Sequence, residues 1–381
     1  MSIAWIALWT IGALFALGVI LTIALELVPK HVNWDCRNAD AYVADHENWG
    51  GKYFREWRRV QLRFRWEPFC HWRSAPHDGS FIHVDAQGIR RTWKPQLTGA
   101  ARPVRIFLFG GSTVWGAGVR DGGTLASALA RNLARRGIEA DVTNHGQLGY
   151  ASTQEVIALL RRAQQRDLPD VVIFYDGYND VLTAIQNQAA GLSFGEHNRR
   201  DEFNIFKTPW KMFWSTWRSL AIARYFRPRV REPAILTAER ADSTAQEVAD
   251  VLVTNYRVVR SLARELGFTA QFFWQPNIFG KLSVSAYEAS QRQLIEFSRP
   301  VFRGVEERLA RSNAIARGDD FVLLNDLFHE SAHPYFIDWV HLSEAGNELV
   351  AARIANELCL KLPGARSPAQ NGVGQRVGVA T

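Results

Sequence analysis

From residue 104 the sequence alternates short apolar runs with amphipathic stretches, and few folds accommodate that order. "VRIFLF" (104–109) reads as a buried strand. "TLASALARNLARRG" (124–137) reads as a helix, with Leu125, Ala128, Leu129 and Leu133 on one face and Gly137 as its stop. "ADVTN" is a second strand. "STQEVIALLRRAQQR" is a second helix opening on a Ser152-x-x-Glu155 capping box, and "DVVIFY" is a third strand. The rhythm resumes with a helix from about Ser243 to Leu266 and the strand "FTAQFFW". A helical stretch over about 285–314, the strand "FVLL" and a last helix from Ser343 to Leu362 follow. Strands joined by amphipathic helices take right-handed crossovers, so the expected body is a parallel sheet covered on both faces. Ligands of such sheets sit at the carboxyl ends of the strands.

The remainder of the 381 residues is organised around that body. Residues 3–25 contain no ionisable side chain. A bilayer crossing needs about 20 apolar residues, and no small-x-small cleavage site follows, so an uncleaved membrane anchor is expected over 1–29. Lys30 and Arg37 lie just after the span, a weak bias toward a cytoplasmic body. Residues 30–103, rich in Trp, Arg and Pro, read as a wrapping extension, and 104–363 as the α/β body. An insertion over about 184–242 interleaves Trp210, Phe213, Trp214 and Trp217 with Lys211, Arg218, Arg224 and Arg227. Its mixture of indoles and cations suits either a membrane interface or a lid. Residues 364–381 have the composition of a disordered tail.

A net charge of +7 and 47% hydrophobic residues describe a globular chain drawn to anionic surfaces. No nucleic-acid reading motif or dense basic block is present, so no nucleic-acid partner is expected. Cys36, Cys70 and Cys359 show no metal-ligand spacing, and neither a metal nor a cofactor is expected. Cys36 and Cys70 can either pair or remain free thiols.

Four loops leave the carboxyl edge of the expected sheet carrying polar residues: Ser112 after the first strand, Gly149 after the second, Asn179 after the third, and Asp338 with His341 before the last helix. Acyl transfer through a nucleophile needs a hydroxyl, an imidazole to take its proton and a carboxylate to orient the imidazole. It also needs donors aimed at the developing oxyanion. Ser112, His341 and Asp338 match the first three roles. The Ser112 and Gly149 N–H groups and the Asn179 amide match the fourth. Taken singly, each has a plainer explanation: a turn at Ser112, a cap at Asn179, a local bond between Asp338 and His341.

The ordered set "GGS", "NHGQLG", "GYND" and "DWVH" resembles the four blocks of the SGNH (GDSL-type) hydrolase superfamily, over about residues 104–362. The resemblance implies a three-layer α/β/α flavodoxin-like parallel sheet. It also implies a nucleophile and first oxyanion donor at Ser112, further donors at Gly149 and Asn179, and a triad completed by Asp338 and His341. Gly111 departs from the pattern, since the family often has Asp there. His145 occupies a non-catalytic position of the second block, and His329 and His333 read as loop or surface residues. "GLSFG" (191–195) imitates a nucleophile elbow, but Ser193 has neither a strand before it nor a helix directly after it.

Anchored members with these features imply a serine esterase at the bacterial cytoplasmic membrane, with the body outside it. The implied reaction removes ester-linked acyl groups, acetyl above all, from a glycan or glycolipid. The alternatives are an O-acyltransferase modifying a cell-surface polysaccharide, a lipase, and a non-catalytic glycan-binding subunit.

Overall fold

The computed structural model describes residues 39–46, 49–96, 102–205, 236–312, 315 and 319–361, with scattered positions from 5 to 20. The chain divides into two compact units, one of Asp35–Phe194 with Thr237–Thr381, the other of Met1–Trp34 with Gly195–Leu236.

In the larger unit the extension forms helices α1 (Asp40–His46) and α2 (Gly50–Val60), then a hairpin of β1 (Phe64–Glu67) and β2 (His71–Ser74) and a short antiparallel pair, β3 (His77–Asp78) and β4 (His83–Val84). The body follows as β5 (Val104–Gly110), α3 (Ser112–Trp115), α4 (Leu125–Arg135), β6 (Ala140–Asn144), α5 (Ser152–Gln164), β7 (Val171–Asp176) and α6 (Tyr178–Asn187). In the smaller unit, the described positions between 5 and 20 are helical, and α7 spans Glu196–Ile205. The larger unit resumes with α8 (Ala238–Leu266), β8 (Thr269–Trp274), α9 (Ala286–Leu294), α10 (Arg299–Arg311), β9 (Phe321–Leu323) and α11 (Glu344–Cys359).

The five body strands are all parallel, in the order β6-β5-β7-β8-β9. That is the flavodoxin-like order, and it follows from right-handed crossovers made first to one side of β5 and then to the other. Accordingly α4 packs with α11, while α8 packs with α5, α6 and α10. The central strands are apolar along their length because helices cover both faces: Ile106 to Phe109, Val171 to Tyr175 and Phe272 to Trp274 are buried. The direction of chain growth reverses between β5 and β7, the switch point beside which ligands of such sheets bind.

Several local expectations are corrected. The stretch over 285–314 is two helices, because the chain turns at Glu296–Ser298 and α10 carries Pro300 in its first turn, with no N–H to continue a preceding ladder. The helix expected from Ser243 starts at Ala238, where the Thr237 side chain caps it; α6 also runs to Asn187, so both ends of the 184–242 segment belong to body helices. The Ser152–Glu155 capping box does not form: Ala151 occupies the cap position, and Ser152 bonds elsewhere.

Among the described residues no helix is long and apolar enough to cross a membrane. Much of the 3–25 span, the aromatic segment from Trp210 to Arg231, Cys36 and the 364–381 tail lie outside the described residues. Cys70 and Cys359 are buried free thiols.

Candidate active site

β5 ends in Gly110, and the chain turns at once into the short helix α3, of which Ser112 is the first residue. The turn is crowded. A Cβ on Gly110 would lie 2.3 Å from Val114 Cγ2, and one on Gly111 would lie 2.2 Å from Asn179 Nδ2. A side chain at position 111 would require the Asn179 amide to move, and the glycine leaves that amide in place.

Ser112 Oγ lies 2.8 Å from His341 Nε2, and His341 Nδ1 lies 2.6 Å from Asp338 Oδ2. A carboxylate only accepts, so Nδ1 carries the proton, and Nε2 is left to accept from the serine hydroxyl. Asp338 is fixed in turn, its Oδ1 accepting the N–H groups of Val340 at 2.8 Å and His341 at 2.7 Å. Burial alone would raise the Asp338 carboxyl. The attraction of the His341 ring when it is protonated, and these hydrogen bonds, outweigh it and hold the group below the ordinary carboxylate value. The carboxylate therefore stays ionised beside the imidazole.

The second and third loops meet beside Gly111. Asn179 Nδ2 donates to Tyr150 O at 2.6 Å, and that carbonyl is 3.2 Å from the position of a Gly111 Cβ. The second loop is hung from the first strand by His145 N to Leu108 O and Gln147 N to Gly110 O. Asn144 Nδ2 also donates to Val114 O at 2.8 Å. Gly149 has φ +77°, a left-handed conformation that glycine adopts without strain. Thr113 Oγ1 donates to Gln275 Oε1 at 3.2 Å, joining the residue after Ser112 to the end of β8. The structure thus brings Ser112, His341 and Asp338 into one hydrogen-bonded chain. It places Asn179 and the Tyr150 carbonyl against the turn that carries Ser112.

Several residues that hold this site carry no sequence signal of their own. Arg90, from the extension, is fully buried; its guanidinium bonds the carbonyls of Trp115, Gly116 and Val119 and the carboxylate of Asp121. Tyr53 accepts from Gly118 N at 2.9 Å. Trp72 reaches the Gly149 loop. Beneath the site, Glu155, Asp176 and Asp180 form a fully buried carboxyl group cluster, touched by Ser152 and Tyr256. Burial first, then the neighbouring carboxylates, raises Glu155 and Asp176, and burial also raises Asp180.

The other candidates lie apart. His145 is stacked on Phe109 and Phe107, and burial with nearby guanidinium groups pushes it well below the ordinary imidazole range. It borders a cavity of about 810 Å³ between the extension and the β5–β6 edge, with Arg91, Arg105 and Arg162, and this cavity includes neither Ser112 nor His341. Ser193 sits in an irregular segment after α6, with no strand leading into it. His329 is exposed and contacts Gly280 O, and His333 packs on Tyr335. No group of side chains able to hold a metal ion occurs among the described residues.

The family model described as GDSL-like Lipase/Acylhydrolase matches residues 106–354. No curated protein matches the chain. Among solved structures, a member of the lipolytic G-D-S-L family from Veillonella parvula is 15% identical, with 68% of this chain and 100% of that one covered and a TM-score of 0.40. An acetyl xylan esterase is 15% identical over 66% of this chain and 98% of its own, with a TM-score of 0.37. The acetylxylan esterase of Geobacillus stearothermophilus is 16% identical over 69% and 97%, with a TM-score of 0.33.

Proposed function

This chain belongs to the GDSL-like lipase/acylhydrolase family and is a carboxylic ester hydrolase, and from that premise we propose that it works through an acyl-enzyme on Ser112. The observation that carries the reading is the unbroken relay from Ser112 Oγ through His341 to Asp338. His341 Nε2 takes the hydroxyl proton as Oγ attacks the ester carbonyl, and returns it to the leaving alcohol. Water then attacks the acyl-enzyme by the same proton route in reverse. The N–H groups of Ser112 and Gly149 receive the oxyanion, together with the Asn179 N–H that Tyr150 O does not use.

The proposed substrate is an acetylated glycan or glycolipid. The aromatic and basic composition of 210–231 supports a surface that meets such a molecule, as does the uncharged 3–25 run, read as a membrane anchor. In this reading the enzyme is held at the bacterial cytoplasmic membrane with its body outside.

The test is to incubate the enzyme with acetylated glycans, phospholipid and short aryl esters, with Ser112→Ala as control, and to label it with a fluorophosphonate. Release of acetate from the glycan, and label on Ser112 alone, are expected. Label that survives Ser112→Ala overturns the nucleophile, and turnover confined to phospholipid overturns the substrate class.

A further inference from the structure

We infer that Trp72, in the amino-terminal extension, is a positioning residue for the second oxyanion donor. Its indole N–H holds the Leu148 carbonyl, and thereby aims the Gly149 N–H that belongs to the same peptide plane. The inference rests on the reading of Gly149 as an oxyanion donor given above.

The argument begins with the peptide unit itself. Leu148 C=O and Gly149 N–H are the two ends of one planar, trans amide, so they point in opposite directions along a shared plane. Whatever fixes the direction of the carbonyl fixes that of the N–H. Trp72 Nε1 donates to Leu148 O at 2.8 Å. A hydrogen bond accepted at the carbonyl also polarises the amide, which makes its N–H a better donor.

The body holds this loop at Gln147 and, through Asn179 Nδ2, at Tyr150 O, which leaves a gap at the Leu148–Gly149 peptide between them. The last strand-to-loop bond is Gln147 N to Gly110 O, two residues before Gly149. Gly149 itself, without a Cβ and at φ +77°, offers little resistance to rotation about its flanking bonds. Trp72 and its neighbours close that gap from both sides. Tyr150 O–H donates to the backbone carbonyl of Trp72, so the residues before and after Gly149 are both bonded to Trp72. The two rings meet edge to face, with centroids 5.8 Å apart. Trp72 Cζ2 and Phe194 Cδ2 each lie 3.5 Å from where a Gly149 Cβ would project, so both rings flank the glycine at ordinary van der Waals range. The hairpin is in turn set against the loop by Ser74 N to Gln147 Oε1 at 2.8 Å and Gln147 Nε2 to Gly88 O at 2.8 Å.

A tryptophan kept only for packing would make its contribution through ring area, and its N–H would be incidental. The positioning role depends on the N–H. Trp72→Phe, and site-specific replacement of Trp72 by benzothienylalanine, which keeps the bicyclic shape and removes only the N–H, separate the two. Aryl acetate turnover, melting temperature and the rate of fluorophosphonate labelling are measured on the full chain, each normalised to titrated active sites, beside Ser112→Ala. Loss of a whole oxyanion donor lowers kcat by about 10²–10³-fold, so loss of aim is expected to lower it by about 10-fold to 10²-fold. KM and melting temperature should stay near the parent's, and labelling should slow in parallel with kcat. Parent-like kcat per active site in the benzothienyl protein, with Ser112→Ala inactive, overturns the positioning role and leaves the esterase reading standing. Turnover that survives Ser112→Ala removes both.

Discussion

Asp180 receives the backbone N–H and the hydroxyl of Ser152 on one carboxylate oxygen, at 3.1 and 2.6 Å. That pair ties the start of α5, just past the Gly149 loop, to the start of α6, which carries Asn179. Asp180→Ala leaves both donors buried without this acceptor and should destabilise the fold by about 1–3 kcal/mol. Asp180→Asn keeps an accepting oxygen and should recover most of that loss. Chemical denaturation checks both, and equal destabilisation by the two variants would remove the tie.

Asp338→Asn presents His341 Nδ1 with an amide that can donate as well as accept, and so permits the wrong imidazole tautomer. In a comparable triad the same change lowers kcat by about 10⁴-fold with the geometry intact. A loss of that order is expected here, measured with a short aryl ester, with the melting temperature little altered. A loss of less than about tenfold would show that the carboxylate does not orient the base.

Asn179→Ala should lower kcat by about 10²–10³-fold through loss of an oxyanion donor. Because Asn179 Nδ2 also holds Tyr150 O, a modest fall in melting temperature should accompany it. Normal turnover combined with a large fall in melting temperature would make Asn179 a structural cap.

Gly111→Ala introduces a Cβ at 2.2 Å from Asn179 Nδ2, so the amide must move. Activity should drop at least about tenfold, because small misplacements of catalytic groups are expensive. Gly111→Asp, although it restores the residue frequent in related chains, should do no better. Full activity in either variant would show that Asn179 has room to yield.

The buried carboxyl cluster predicts the slope of stability against pH. Burial first, then the Asp180 charge, pushes Asp176 up to about 8. Between the ordinary carboxylate value of about 4 and that point the folded chain keeps a proton that the unfolded chain releases. Its contribution is complete below the lower value and is lost as pH rises through the upper one. Asp338, held low, works in the opposite sense and loses its contribution as pH falls. Asp176→Asn should therefore flatten the decline in melting temperature between about pH 5 and 8. An unchanged slope would mean that Asp176 is ionised in the fold.

How much of this was legible beforehand depends on the range of each interaction. Alternating apolar periods made strands and helices readable because their cause is local: each run must bury one face or one stripe. The same locality made Asp338 and His341 readable as a pair, since three residues separate them, and the order of the four blocks placed Ser112 and Asn179 on one edge of a parallel sheet. Even local signals failed where tertiary packing outweighed them. Ser152 and Glu155 had the spacing of a capping box, yet both turn inward to the Asp176–Asp180 cluster. Pro300 split a continuous helical pattern at a point that periodicity alone does not mark. What only the tertiary structure decided are contacts between segments far apart in sequence. The closeness of Gly111 to Asn179 depends on how two body loops meet at the sheet edge, and the grip of Arg90 on 115–119 and the bond from Trp72 to Leu148 depend on how the extension is laid over the body. No pattern within any one segment records that placement, because side chains that meet across a fold leave no period in the chain between them.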